Sequence, residues 1–194
     1  MNLHPLDVDF GWTLFLDRDG VINRRLPGDY VKDLEQFAFL DGVLPALAIF
    51  QSLFHRIIIV TNQQGIGKGL MTEVQLQALH RYMLRAIRDS GGRIDAVYHC
   101  PALERDTDPC RKPQPGMARQ AQADFPSIDF SRSIMVGDSI SDMRFGAGLG
   151  MINVLVETKA EAMEKLRAGE VTVPIHFRIH GLLELAEALA PDQE

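Results

Sequence analysis

The chain has 194 residues and a mass of 21.7 kDa, which leaves little room for two independent hydrophobic cores. It is 46% apolar and 24% charged, too apolar for a disordered chain, and its net charge of −6 counts against a partner made of nucleic-acid phosphates. No apolar run approaches the roughly 20 residues that cross a bilayer. Residues 1–12 (MNLHPLDVDFGW) lack the basic start and apolar stretch of a secretory leader, and two cysteines are too few for a disulfide framework, so the expected compartment is the cytoplasm.

In chain order, the first strand-like run is 12–16 (WTLFL). Asp41 can then cap a helix reaching about residue 54, with Pro45 in its first turn. A second strand follows at Arg56–Asn62 (RIIIVTN). Thr72 and Gln75 stand at capping-box spacing, and Leu76, Leu79, Met83, Ala86 and Ile87 form an apolar stripe that stops at Gly91 and Gly92. His80, Tyr82 and Met83 on that helix read as packing or solvated positions. Next come a strand at 94–100 (IDAVYHC) and a helix from Pro115 to about residue 125. A strand at Ser133–Gly137 (SIMVG), a helix at 141–149, a strand at Ile152–Val156 (INVLV) and a helix at 160–166 follow. A weaker strand at 174–179 and a helix at 181–189 close the series. Several strands are apolar on both faces, as parallel strands between helix layers must be. The expected fold is α/β: a three-layer, Rossmann-like domain with a mostly parallel sheet, residues 1–194 forming one unit. Ligands of such sheets collect beyond the carboxyl ends of the strands.

The strand ends carry the polar chemistry. Asp17-Arg18-Asp19-Gly20 follows the first strand. Two like charges 4 Å apart repel by roughly 4 kcal/mol at an effective dielectric of about 20, a cost that a divalent cation or a proton removes. The second strand ends in Thr61-Asn62 and runs into Gly65-Ile66-Gly67-Lys68-Gly69, groups able to donate to phosphate oxygens without forming a Walker loop. Arg111-Lys112-Pro113 holds two cations on a stiff loop before the helix at Pro115. The fourth strand leads into Asp138-Ser139, with Asp142 beyond. Singly, these have ordinary structural readings: an Asp-rich turn, a Gly-rich turn, a surface basic pair, a helix cap. Together, a hard-cation site suited to magnesium beside an anion cradle implies phosphoryl chemistry.

FLDRDGVIN (15–23), IVTNQQGIGKG, CRKPQPGM and VGDSISDM, in this order, resemble the four motifs of the haloacid dehalogenase superfamily. Their wording is similar to that of its histidinol-phosphate and heptose-bisphosphate phosphatase subgroup, and the resemblance covers residues 12 to 157. It implies that Asp17 is the nucleophile and becomes an aspartyl phosphate. Asp19 would protonate the leaving alkoxide and then deprotonate water. Thr61 and Asn62 would hold the transferring phosphoryl group, and Lys112 would neutralise its charge and steady Asp17. Magnesium would sit on Asp17, the Asp19 backbone carbonyl and Asp138. Arg25 and Arg111 would touch the sugar or its second phosphate.

Members of this superfamily place cap domains between the first and second or the second and third motifs. Asp17 to Thr61 spans 44 residues and Thr61 to Lys112 spans 51, each largely used up by one helix and a strand, so no cap is expected. The subgroup also carries a zinc loop, Cys-x-His then Cys-x-Cys. Here the stretch is CPALERDTDPCRK, with Ala102 for the histidine and Asp108 for one cysteine. Only Cys100 and Cys110 remain, so the expectation is a zinc-free loop with two ordinary thiols. His99 is expected on the opposite strand face from Cys100. Ser139 stands where the nearest-worded relatives place a lysine.

The resemblance implies a magnesium-dependent phosphomonoesterase acting on a small phosphorylated sugar, as a monomer or weak oligomer, with neither nucleic acid nor membrane as partner. Histidinol phosphate is the alternative substrate: its cationic groups suit Glu104, Asp106 and Asp108, whereas a sugar bisphosphate suits Arg25, Lys68 and Arg111. A nucleic-acid 3′-phosphatase and a non-enzymatic binding module are the readings from other classes. The acidic balance opposes the first, and the presence of every chemically necessary residue opposes the second.

Overall fold

The computed structural model describes residues 8–190. The first seven of the residues read for a leader lie outside it. Six strands form one all-parallel sheet: β1 (Thr13–Leu16), β2 (Arg56–Asn62), β3 (Ala96–Cys100), β4 (Ser133–Gly137), β5 (Ile152–Val156) and β6 (Phe177–Ile179). Their order is β3-β2-β1-β4-β5-β6. The helices are α1 (Val43–Leu53), α2 (Gln64–Gly67), α3 (Glu73–Asp89), α4 (Gly116–Asp124), α5 (Ile140–Gly148), α6 (Ala160–Arg167) and α7 (Leu182–Leu189).

Strand alternation explains the two cores. Leu14 and Leu16 of β1 face one side with Ile57, Ile59, Ile134 and Val136, where α1, α3 and α7 bury Leu47, Phe50, Leu76, Met83, Leu182 and Leu185. Phe15 faces the other side with Ile58, Val60 and Met135, covered by Met117, Ala118 and Ala121 of α4 and Phe145 of α5. With helices on both faces, the central strands have no solvent-facing side and read as unbroken apolar runs. The strand order reverses between β2-β1 and β4, so the chain leaves β1, β2 and β4 at one edge, where a crevice opens.

Two helix starts differ from the sequence expectation. Asp41 does not cap α1; Gly42 does, in a left-handed conformation (φ 78°), and no side chain makes a cap bond there. Asp41 instead lies 3.4 Å from Arg24 at the surface. Helix α5 starts at Ile140, and Ser139 is its cap, paired with Asp142 in a capping box. Asp138, whose ordinary reading is a helix cap, instead pairs with Arg25 at 2.7 Å. The Thr72–Gln75 capping box of α3 forms as expected. In its stripe Leu76, Leu79, Met83 and Ile87 are buried while Ala86 is half-buried, and His80 joins the buried face.

Candidate active site

Asp17 follows β1 directly and is buried against Lys112, which arrives from the far side of β3. Lys112 Nζ donates to Asp17 Oδ1 at 2.8 Å and to the Val60 carbonyl at 2.7 Å, and it stands 2.6 Å from Asp142 Oδ1. Burial alone would strip the charge from Lys112; Asp142 and Asp17 more than offset this and raise its pKa. Asp17 is pushed the other way for an acid: burial raises its carboxyl, Lys112 opposes, and Asp142 and Asp19 add repulsion.

Asp138 leaves β4 into the same space. Its carboxyl is pushed up to about 7 by burial, with Arg25 opposing and Asp17 and Asp142 adding to the rise. Oxygens of Asp17, Asp138 and Asp142 lie within 4.8 Å of one another. Gly20 makes this approach possible. It adopts φ 93°, and a Cβ there would fall 2.0 Å from Asp138 Oδ2, so any side chain would fill the site.

Asp19 is held by four hydrogen bonds. Arg18 Nη2 donates to both carboxylate oxygens (2.9 and 2.8 Å), Asn23 Nδ2 to Oδ1 (2.9 Å) and Gln63 Nε2 to Oδ2 (2.8 Å). Burial works to raise the Asp19 carboxyl, but the Arg18 guanidinium with Asn23 and Gln63 overrides it and holds the group below the usual carboxylate range. Arg18 is itself fully buried and also contacts His80 Nε2 at 3.3 Å. His80 is pulled down to about 3 by burial, then by Arg18 and His99, so it is neutral at physiological pH.

Thr61 Oγ1 accepts from Gln63 Nε2 at 2.8 Å, leaving the hydroxyl proton to donate elsewhere. Asn62 uses both ends of its amide on the Lys112 backbone: Nδ2 donates to the carbonyl (3.1 Å), and Oδ1 accepts from the N–H (3.0 Å). The side chain offered by sequence as a phosphoryl ligand therefore fixes the loop that delivers Lys112. Arg111 Nη1 donates to the Ala102 carbonyl at 3.1 Å and lines the crevice. Arg25 lies on Asp138 and on the Asp19 carbonyl oxygen. The crevice has a volume of about 650 Å³; Asp17, Thr61, Lys112 and Asp142 are at its floor, and Arg111, Arg144 and Lys159 stand among its walls.

A buried carboxylate paired with a buried lysine, facing further carboxylates at the switch point of a parallel sheet, is an arrangement that other proteins share. A family model described as HAD-hydrolase-like matches residues 109–185. A D-glycero-alpha-D-manno-heptose-1,7-bisphosphate 7-phosphatase of Mycobacterium tuberculosis is 42% identical over 132 residues, 68% of this chain and 70% of the relative. The chain belongs to the haloacid dehalogenase-like hydrolases. A D-glycero-beta-D-manno-heptose-1,7-bisphosphate 7-phosphatase of Salmonella typhi is 39% identical over 154 residues, 75% of this chain and 80% of the relative. Among solved structures, a D,D-heptose 1,7-bisphosphate phosphatase from B. bronchiseptica, complexed with magnesium and phosphate, superimposes with a TM-score of 0.82 at 33% identity, over 92% of this chain and 97% of the other.

The hydrolase departs from the sequence expectation in the loop after β3. Cys100 and Cys110 are not free thiols; they form a disulfide, with Cα atoms 5.5 Å apart. That separation is inside the range a bridge requires, because the chain must return to the end of β3 to deliver Arg111 and Lys112. Asp108 stands beside the two sulfurs. His99 does face away from Cys100: it pairs with Glu73 at 3.0 Å, while Cys100 is buried in the core.

Three supports escaped the sequence reading. Arg18 and Gln63 sit inside recognisable motifs, yet the reading gave them no task. His80 offers no local signal at all, since its partner is 62 residues away. Asp142 did carry a signal, its position three residues after Ser139, the capping-box spacing that α5 uses.

Among the described residues no helix is long and apolar enough to cross a membrane.

Proposed function

We propose that this hydrolase is a magnesium-dependent phosphomonoesterase, working as one capless domain, that removes the 7-phosphate of D-glycero-D-manno-heptose 1,7-bisphosphate. The observation that carries the reading is the Lys112 ammonium shared between Asp17 and Asp142 at the floor of an open crevice. A dianionic phosphate reaches a carboxylate nucleophile only where cations offset the repulsion. Arg111, Arg144 and Lys159 on the crevice walls suit the second phosphate, and the last two supply charge that Ser139, in place of a lysine, does not.

The chain's residues fit magnesium. Three buried carboxylates, Asp17, Asp138 and Asp142, outnumber the two cations that touch them, Lys112 and Arg25, and all their donors are hard oxygens. Asp17, the Asp19 carbonyl and Asp138 would hold the ion. When bound, it supplies charge stabilisation to the transferring phosphoryl group.

Asp17 attacks phosphorus in line; the bond to the sugar oxygen breaks, leaving an aspartyl phosphate. Asp19 gives its proton to the departing alkoxide and then takes one from the water that opens the acyl phosphate. The Arg18 clamp favours its ionised form, which suits the second half; a phosphate dianion beside it raises its proton affinity for the first. Thr61 donates its free hydroxyl proton to a phosphoryl oxygen, and Lys112 offsets charge there and orients Asp17.

The test is kcat/KM for both heptose 1,7-bisphosphate anomers and for histidinol phosphate, with Asp17→Asn as the blank. The chain is similar to relatives of either anomer to nearly the same degree, 42% and 39%. A heptose bisphosphate preferred about a hundredfold over histidinol phosphate, ~2.7 kcal/mol of transition-state discrimination, is the expected result. Preference for histidinol phosphate, whose cationic groups suit the Glu104, Asp106 and Asp108 wall, overturns the substrate assignment.

A further inference from the structure

Arg25 makes three hydrogen bonds, and all of them go to groups that the magnesium reading needs. Its Nη2 donates to Asp138 Oδ1 at 2.7 Å and to the Asp19 carbonyl oxygen at 2.9 Å, and its Nε donates to Asp138 Oδ2 at 3.2 Å. Both Asp138 oxygens are thus engaged by one planar fork, and that carboxylate is only 1% exposed. An ion bound to Asp138 and to the Asp19 carbonyl draws on the same oxygens. The guanidinium and the ion compete for one place.

Charge bookkeeping points the same way. Asp17, Asp138 and Asp142 face Lys112 and Arg25, which leaves one negative charge unbalanced. A divalent ion in place of Arg25 balances the set. Arg25 is tethered to the loop that follows β1, and it lines the crevice together with Leu26 and Tyr30. Its side chain is 38% exposed, so it has a path outward. Once displaced, it remains within the crevice as a free cation, where a phosphorylated ligand can take it up.

We infer that Arg25 is a positioning residue: a tethered cation that holds Asp138 and the Asp19 carbonyl in their ligand arrangement and is exchanged for Mg²⁺. Metal binding then has to break a two-pronged ion pair, so Arg25 weakens metal affinity while keeping the ligands assembled. The exchange also delivers a positive charge to the substrate crevice at the moment the ion arrives. This inference rests on the magnesium reading of the site.

The experiment is calorimetric titration of Mg²⁺ into EDTA-stripped protein, using the full chain and the variants Arg25→Gln, Arg25→Lys and Arg24→Gln. Arg24→Gln removes the same charge one residue away, where among the described residues it pairs with exposed Asp41. Arg25→Gln is expected to tighten Mg²⁺ binding about tenfold, Arg25→Lys by less because it keeps the charge but not the fork, and Arg24→Gln by about twofold or less. A second readout needs no affinity: the Arg25 Nε–H resonance, protected from solvent exchange in the stripped protein, should shift and lose protection on Mg²⁺ saturation. Equal affinity in the parent chain and Arg25→Gln, an equal gain in Arg24→Gln, or an Arg25 signal that Mg²⁺ leaves unchanged overturns the inference alone. Absence of Mg²⁺ binding in every protein overturns the magnesium reading and this inference with it.

Discussion

Lys112 Nζ stands 2.8 Å from Asp17 Oδ1 although 95 residues separate the two in the chain. Neither residue is tolerable alone at that depth: Lys112 is 3% exposed and Asp17 6%. An unpaired buried ion costs several kcal/mol, so Lys112 is the condition for the burial of Asp17, while Lys112 itself keeps Asp142 as a second partner at 2.6 Å. The pair makes the position of Asp17, the proposed nucleophile, a property of the fold rather than of its own loop.

Replacing either partner should separate chemistry from stability. Asp17→Asn removes a carboxylate from a site with excess negative charge, so its melting temperature should hold or rise. Turnover should fall by roughly 10⁴-fold or more, as for other nucleophile deletions. Lys112→Met should lose activity too, but at a stability cost of about 3–5 kcal/mol, because Asp17 and Asp142 are left facing each other without their cation. Phosphate release and thermal melts on both variants check this. Comparable melting of the two would refute the charge account.

Chelation should silence the enzyme, and added Mg²⁺ should restore it. Elemental analysis of purified protein should find much less than one zinc per chain, since both sulfurs of the candidate loop are engaged with each other. A phosphatase indifferent to EDTA contradicts the metal assignment; stoichiometric zinc contradicts the bridged loop.

His80 should mark the acid limit of stability. Its folded pKa of about 3 lies below the ordinary histidine value of 6.5, so the folded state resists taking up a proton that the unfolded chain accepts. Its contribution is therefore complete above pH 6.5 and is lost as pH falls from there towards 3. Between pH 7 and pH 5 the stability gap between the parent chain and His80→Gln should shrink by about 2 kcal/mol. Urea midpoints at the two pH values measure it, and a gap that stays constant would show that Arg18 and burial do not keep His80 neutral.

The Cys100–Cys110 bridge closes a short loop that ends next to Arg111 and Lys112. Cys110→Ser should cost roughly 3 kcal/mol, the loop-closure value for a ring of this size. It should also lower kcat by freeing the segment that delivers Lys112. The native protein should resist alkylation until it is reduced and then take up two labels; labelling without reductant would count against the bridge.

Much of this molecule is legible in one dimension. Short apolar and β-branched runs mark all six strands; three (β2, β4 and β5) match residue for residue, and the other three begin one to three residues later than the runs do. Capping chemistry marks the start of α3, and the motif order puts Asp17, Asp19, Thr61, Lys112 and Asp138 at or beyond the carboxyl ends of the strands. Two short elements were invisible: α2 and the 3-10 turn at Phe130–Arg132 are too brief to show a period. The start of α1 was misplaced because a left-handed Gly42 replaced the side-chain cap that Asp41 offers.

Residue type and local spacing determine what a side chain can do: carry charge, attack, accept, turn the chain. They do not determine which group stands 3 Å away, because that depends on which strands become neighbours. The order β3-β2-β1-β4 is what brings Asn62 to the Lys112 backbone, His80 to Arg18, and Arg25 to an aspartate 113 residues away. These contacts decide that Asn62 holds a loop, that Asp19 rests ionised, and that Arg25 stands on Asp138. The chemistry of this protein was written in its sequence; the partners of each reactive group were set only when the sheet formed.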